Sequence, residues 1–413
     1  QSFSLKALID SALQKNFDVA IVRNNLQIAQ NNNHIGVAGG LPTVSSTVND
    51  NEQVQTTNLK FANPANDLSR NNVASNNFSA NITGTMVLYN GLRIKSAKKR
   101  LDLLEKQAEM QLNAQIQNTI AAVMLQYFEV VRQQAFAKTL EQNIATAKER
   151  LSIVQTRKEV GLANNADYFQ SQIDVNALAQ QLKSQELVIA QAKTDLLATA
   201  QMPLQTIFAI TDTALNYQNL NIATLQQQIK SNPNLLAAEQ QINISQLLLK
   251  EVAALRTPTL RVNTGYNFTN NRAAAGFSLL TRTFGPFLGV NLAIPIYNGS
   301  ALKRQEKNAK INQVNANLQK SALEFDLQTN LQRNFDAYNN AQAQLQTQKE
   351  NYQLSQQLLN LVMQRFQLGQ ATIVDVKQAQ QSFETEGFRL TNLQYAAKIA
   401  EINMLLLANQ LSY

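Results

Sequence analysis

Apolar residues recur along this chain with two different periods, and the switch between them happens twice in the same order. Leu5, Leu8, Ala12 and Leu13, followed by Val19, Val22, Leu26 and Ala29, share one face at helical spacing and predict a helix over residues 2–38. Gly39-Gly40-Leu41-Pro42 stops it. Between Phe78 and Leu88 the period drops to two: Phe78, Ala80, Ile82, Gly84, Met86 and Leu88 alternate with Ser79, Asn81, Thr83 and Thr85. That is the pattern of a strand with two unlike faces. A weaker strand is expected near 43–53, and the Asn-, Thr- and Ser-rich stretch 54–75, with Pro64, reads as an exposed loop. Helical spacing returns over 92–159, where Leu112, Ile116, Ile120, Val123, Tyr127 and Val130, then Leu140, Ile144, Ala147, Leu151 and Val154, advance by threes and fours. This is a coiled-coil repeat, about 100 Å long at 1.5 Å per residue. Gly161 is its expected C-cap, and a second helix over 166–200 returns antiparallel through a short connection.

Met202-Pro203 opens an irregular segment to about residue 222, and helix resumes over 223–255 with Asn232-Pro233-Asn234 inside or just before it. Thr257-Pro258 ends that helix. Residues 259–298 repeat the strand pair: Leu260, Val262, Thr264, Tyr266 and Phe268 alternate with Arg261, Asn263, Gly265 and Asn267. Leu288, Val290, Leu292, Ile294 and Ile296 form the apolar face of the partner strand, and Asn270, Asn271, Gly276 and Pro286 are assigned to the loop between them. Residues 300–367 repeat the long helix, with Leu354, Leu358, Leu361 and Arg365 in heptad steps, and 372–411 repeat its partner.

The duplication is visible letter by letter. Tyr89-Asn90-Gly91 returns as Tyr297-Asn298-Gly299, and the stretch Arg157 to Asp167 returns as Arg365 to Asp375, both shifted by 208 residues. A long uninterrupted helix demands that constancy, because one inserted residue would rotate everything beyond it by about 100°. Pro42 and Pro258 are 216 apart, so the extra length of the first half falls in the strand region. The chain therefore divides into two structural repeats, residues 1–208 and 209–413.

Composition narrows the function. Hydrophobic content is 44% but charged content only 15%, and Gln and Asn take the place of the missing charge on the helical stretches. With 13 Gly and 7 Pro, long helices are permitted. The absence of Cys excludes disulfides, thiolate metal sites and a Cys nucleophile. No run of 18 apolar residues marks a transmembrane helix. The chain opens on Gln1-Ser2-Phe3-Ser4, amphipathic from the start as a processed protein would be, without an N-terminal Cys to carry lipid. The net charge of +8 is diffuse. Its densest cluster, Arg93, Lys95, Lys98, Lys99 and Arg100, lacks interleaved aromatics and reads as a solvated helix start, so no nucleic-acid partner is expected. His34 is the only His, a polar helix-end residue with no second His for a metal or a triad. Glu384 and Glu386 are too close along one helix to face each other. No enzyme, cofactor or metal is expected.

Four strands of about ten residues suit the tilted spans of an outer-membrane barrel. Alternation alone fits either a lipid-facing or a core-facing apolar side. Strand length, and the neighbouring rods with no globular body to share a core, favour the membrane. Four strands cannot close, and open edges are not tolerated in lipid. Two copies would give a narrow, filled barrel, and three would give twelve strands and a lumen. Helical faces rich in Gln and Asn suit a water-filled tunnel. The rival reading is a periplasmic coiled-coil adaptor whose strands form a small soluble domain.

The residues just described resemble those of TolC-type outer-membrane efflux proteins over essentially the whole chain. Leu5 to Asn16 resembles the family's N-terminal helix, with Asn232-Pro233-Asn234 as its counterpart. Tyr89-Asn90-Gly91 and Tyr297-Asn298-Gly299 resemble the strand-to-helix junctions. Gln364 to Gly369 followed by Ile373-Val374-Asp375-Val376 resembles the periplasmic tip. The resemblance implies a mostly α fold with a β portion: a homotrimer whose twelve-stranded β-barrel lies in outer-membrane lipid of a Gram-negative bacterium and continues into a twelve-helix α-barrel across the periplasm. It implies a passive exit duct of a tripartite efflux or type I secretion system, docking tip-to-tip on a periplasmic adaptor served by an inner-membrane pump. Residues 201–222 would belong to an equatorial belt.

The resemblance also places a gate. Asp375 matches an Asp ring at the tip constriction and Asp167 its partner carboxylate in the first half. Some members carry a second Asp where this chain has Gln378. A tethering tyrosine becomes Phe366, and a tip arginine becomes Ala371. Val160-Gly161-Leu162 and Leu368-Gly369-Gln370 match the loops that meet the adaptor. On spacing alone, Asp167 and Asp375 fit equally as N-terminal-turn residues satisfying free helix amides, and both roles can coexist. Arg157 and Arg365 sit in last helical turns, favourable for the helix dipole. Tyr89 and Tyr297 fit either interface anchors or strand-end packing.

Overall fold

The computed structural model describes residues 3–210, 217–274 and 278–411. In chain order it contains α1 (Leu5–Lys15), α2 (Phe17–Asn32), β1 (Thr43–Leu59), β2 (Leu68–Tyr89), α3 (Arg93–Glu159), α4 (Asn165–Thr199), α5 (Ile222–Gln228), α6 (Pro233–Ala254), β3 (Thr259–Ala273), β4 (Leu280–Ala293), α7 (Ala301–Gln367) and α8 (Ile373–Leu407). The duplication holds element for element. α3 and α7 are each 67 residues long, and α4 and α8 each 35. Part of the irregular segment between α4 and α5, and Gly276, fall outside the described residues.

Several sequence expectations need correction. The helix read over 2–38 is two helices, broken at Asn16. The apolar stripe runs straight through that point, but the Asn16 side chain accepts the Val19 amide at 3.1 Å and so starts a new helix. The second half breaks the same way: a short 3-10 turn at Ile229–Ser231 precedes Asn232, whose side chain accepts the Asn234 amide at 3.0 Å, with Pro233 at the first helical position. The stretch 54–75 is mostly strand, not loop; only 60–67 turns, held by Asp67, which accepts from the Phe61 amide and from Lys60. Asn270 and Asn271 belong to β3 and Pro286 to β4, while Ile294 and Ile296 lie beyond β4. Over most of 54–75 and at Asn270-Asn271 polar residues occupy both strand faces, which erases the alternation, and Pro286 reads as loop because it has no amide to donate to a ladder.

By contacts the described chain forms two compact units, each drawing on both halves of the sequence. The first comprises residues 1–26, 108–237 and 320–413. It is a helical body whose core includes Leu8, Ile120, Val123, Tyr127, Leu196 and Ile402, with a second cluster around Leu331, Tyr338, Leu345 and Met404. Of the expected heptad positions, Leu140, Ala147 and Val154 are buried, but Leu354, Leu358 and Leu361 are exposed. The period identified an apolar stripe without saying which molecule covers it.

The second unit comprises residues 27–107 and 238–319. It holds one antiparallel four-stranded sheet in the order β1-β2-β3-β4. Register follows the side-chain alternation. Val48 pairs with Ala80, Ala80 with Phe268 and Phe268 with Phe284, so one face collects the apolar residues. The neighbouring row, Asn49, Ser79, Thr269 and Thr283, is wholly polar. The apolar rows run from Leu260 and Leu292 to Phe268 and Phe284, about 27 Å along the strands at 3.4 Å per residue. Phe78 and Phe268 meet edge-on there, with ring centroids 6.1 Å apart.

Candidate functional site

The candidate gate lies in the first unit, where α3 turns into α4 and α7 into α8. Both turns use the same device. Gly161 and Gly369 each have φ +78, the left-handed geometry that closes a helix. Leu162 N–H donates to the Arg157 carbonyl at 2.7 Å, and Gln370 N–H to the Arg365 carbonyl at 2.8 Å. Val160, Leu162 and Leu368 are 65%, 78% and 74% exposed, an unusual display of apolar side chains at two loop tips.

The following helix starts differ between the halves. Asn164 caps α4, accepting the Asp167 amide at 2.8 Å. Thr372 caps α8 and forms a reciprocal box: its hydroxyl accepts the Asp375 amide at 3.2 Å, while Asp375 Oδ2 accepts the Thr372 amide and hydroxyl, each at 2.8 Å. These bonds, with Arg365 nearby, hold the Asp375 carboxyl below its usual range. The capping reading of Asp375 is thus realised, and its side chain is exposed along α8 with Gln378 three residues on. Asp167 is half-buried.

Phe366 is 2% exposed and does not face water. It packs with Val154, Leu359, Met363, Val376 and Phe383, and Ala371 lies against the same cluster. In place of a phenolic tether, the Arg157 guanidinium lies 4.8 Å from the Phe366 ring centroid and donates from Nη2 to the Phe366 carbonyl. Gln367 adds a bond to Glu149 at 2.8 Å. The end of α3 is therefore clamped to the end of α7 through one arginine.

A polar network deeper in the helices was missed by sequence reasoning. Arg150 on α3 is 1% exposed and donates to Asp174 on α4 at 2.7 Å. Asp174 also receives Gln170 at 2.9 Å and, from α8, Lys377 at 3.2 Å. Burial lowers the Arg150 pKa against the opposing pull of Asp174. One turn of contacts further, Asn143 on α3 and Gln181 on α4 both donate to Glu384 of α8, at 3.1 and 3.2 Å, and Gln380 donates to the Asn143 carbonyl at 2.9 Å. A cleft of about 240 Å³ lies among Arg150, Asp174, Lys377, Gln380 and Glu384. The signal was available: Arg150 and Asp174 are nearly equidistant from the Gly161 turn, so an antiparallel pair brings them opposite. The positions 208 residues on are Leu358 and Ser382, so only the first helix pair carries this ion pair. No cluster of potential metal ligands occurs among the described residues, and the His34 ring accepts the nearby Gly36 amide at Nδ1, at 3.1 Å.

Comparison with known proteins covers nearly the whole chain. The family model described as Outer membrane efflux protein matches residues 8–200 and 224–410. The outer membrane protein TolC of Vibrio cholerae is 24% identical over 326 residues, 77% of this chain and 73% of that one. The pyoverdine export outer membrane protein OpmQ of Pseudomonas aeruginosa is 22% identical over 410 residues, 97% of this chain and 84% of its own. The crystal structure of the outer membrane protein VceC from Vibrio cholerae superposes with a TM-score of 0.78 at 16% identity, covering 98% of this chain and 95% of that chain.

Proposed function

Because this chain belongs to the outer membrane efflux protein family and is an outer-membrane exit duct, we propose that three copies close one pore, gated at the α3–α4 and α7–α8 turns. The observation that carries this is the sheet. Its two outer strands, β1 and β4, each lack a partner on one side among the described residues. An apolar face about 27 Å long along its strands in lipid cannot end on open edges. Three copies supply twelve strands and a water-filled lumen. The helices also leave apolar side chains for a neighbouring copy to cover: α7 exposes Phe325, Leu354, Leu358 and Leu361, and α4 exposes Phe169, Ile173 and Leu187.

In this reading Asp375 and Asp167 line the mouth of the pore with Gln378 beside them, and Asp375 keeps its charge at any pH above its lowered pKa. Three carboxylates at a constriction concentrate cations. Phe366 acts from behind as the buried anchor that Arg157 grips. Val160, Gly161, Leu162, Leu368, Gly369 and Gln370 present the loops to a periplasmic adaptor, which couples the duct to an inner-membrane pump. The duct is passive, and the choice of cargo belongs to the pump. Native mass spectrometry should give a trimer, and planar bilayers should show cation-preferring conductance that weakens in Asp375→Ala. Monomers without conductance would refute the assembly. Unchanged selectivity in a conducting Asp375→Ala trimer would remove the role of Asp375 alone.

A further inference from the structure

The four strands carry very little charge, and apart from Arg70, which lies beyond the bulge after Gln55, register sorts it. Asp50, Glu52, Arg272 and Arg282 all fall on the face that holds the apolar rows, beyond their Val48–Phe284 limit. Asp50 accepts from Asn76 at 2.6 Å there, and Arg282 donates to Asn270 at 3.4 Å. The opposite face is built of Ser, Thr, Asn, Gln and Gly, with Val73, Val87 and Phe287 as the larger apolar exceptions. The Phe287 ring is explained by packing. It covers Gly265, where an added Cβ would meet it at 3.0 Å and would strike the Ile82 carbonyl oxygen at 2.0 Å. Arg261 is the one charged residue on that face within the sheet register up to the bulge after Gln55. It is exposed, its side chain forms no hydrogen bond or ion pair with the described residues, and its cross-strand neighbours are Val87 and Asn291.

We propose that three copies of Arg261 form a cationic ring inside the barrel, an uncancelled anion-attracting station on an otherwise neutral wall. The proposal rests on the three-copy barrel reading above. A neutral amide- and hydroxyl-lined wall neither attracts nor repels ions strongly, so three guanidinium groups within about a Debye length of the axis, 8–10 Å at ordinary salt, set the local potential. The ring therefore enriches small and multivalent anions and disfavours cations, the reverse of what the tip carboxylates would do. An overall permeability ratio sums over every charged group a permeating ion meets, so the potential has to be read locally.

The chain has no Cys, so single thiols can be placed without background. Asn263→Cys lies two residues along the same face as Arg261, and Val262→Cys lies on the opposite face. In membrane-embedded protein, modification rates are measured with anionic sulfonatoethyl and cationic trimethylammonioethyl methanethiosulfonate. The Asn263→Cys thiol should react and the Val262→Cys thiol should be protected by lipid. Adding Arg261→Gln should lower the anion-to-cation rate ratio at Asn263→Cys by about threefold to tenfold, and Arg261→Glu should lower it further. With Arg261 intact, the same ratio should collapse towards that of a free thiol as salt is raised from about 0.05 M to 1 M. A ratio that moves less than twofold in Arg261→Gln, or that ignores salt if that variant does not assemble, overturns the ring and leaves the barrel standing. Reaction at Val262→Cys with protection at Asn263→Cys overturns the barrel instead.

Discussion

Removing Asp174 should do far more damage than removing the arginine it partners. Arg150 is 1% exposed, and its Nε and Nη1 atoms already lack partners in the described chain; Asp174 is the only acidic contact that compensates its charge. In Asp174→Ala the guanidinium stays buried with nothing opposite, a change that costs about 3–5 kcal/mol. Lys377 loses its bond at the same time, but that cation is half-exposed and its share is small. In Arg150→Met the long apolar chain keeps most of the packing, and the Asp174 carboxylate left behind, 13% exposed, keeps Lys377 at 3.2 Å and Gln170 at 2.9 Å, so the loss is about 1 kcal/mol, and the double variant Arg150→Met/Asp174→Leu should recover most of the Asp174→Ala loss. Hydrogen exchange of the first turns of α4 reads this locally. A drop of about 3–5 kcal/mol in opening free energy accelerates those amides about a hundred- to several-thousand-fold in Asp174→Ala, against less than about tenfold in Arg150→Met. Equal acceleration in the two single variants would show that the ion pair, rather than the stranded charge, sets the cost, and the reasoning would fail.

Two further outcomes follow from the same helices. Thr372→Val removes the cap hydroxyl of α8 and should speed exchange of the amides just after it about fivefold, the equivalent of about 1 kcal/mol. Because the folded Asp375 pKa is depressed, the box contributes fully above the ordinary value of 3.8 and is lost as pH falls through the depressed one; Thr372→Val should shrink that acid dependence without removing it, since the amide of residue 372 still donates to Asp375, whereas Asp375→Asn should abolish it, and an unchanged acid limb in Asp375→Asn would contradict the box. Glu401 is 1% exposed, and burial raises its pKa despite Lys398 at 3.2 Å and the Gln218 amide. Its contribution is therefore full below its ordinary value of 4.5 and declines as pH rises through the raised one, so the thermal midpoint of Glu401→Gln should gain on the parent steadily from pH 4.5 upward. Parallel pH profiles for the two proteins would refute it.

How much of this was readable from the letters varies by element, for physical reasons. The 208-residue shift of Gly161 to Gly369 dictated two equal rods, because helix phase punishes any insertion, and α3 and α7 are equal. Leu354, Leu358 and Leu361 carry the heptad period as clearly as Leu140 and Val154, yet only the latter are buried within one chain; period reports an apolar stripe and not its partner. Asn16 and Asn232 break helices whose apolar faces run on unbroken, since a single side-chain cap outweighs periodicity at one position. Phe366 was noticed for the hydroxyl it lacks. Only the contact of Arg157 with the Phe366 carbonyl shows what stands in that place, and a bond to a backbone oxygen leaves no trace in residue identity. The Arg150–Asp174 pair was legible in principle through its near-symmetry about the Gly161 turn, but nothing in sequence says that Arg150 is buried.

The β1–β2 hairpin outgrows its neighbours. β2 begins to pair with β3 only at Ser75, while its pairing with β1 continues to Leu68, and the turn beyond is closed by Asp67 gripping Lys60 and the Phe61 amide. Nothing else in the described sheet depends on that projecting ribbon. It is where foreign sequence can be spliced in with least harm, so residues 62–66, between the two ends that Asp67 ties together, make a display site: an epitope or affinity tag inserted there would report on folding without touching strand register.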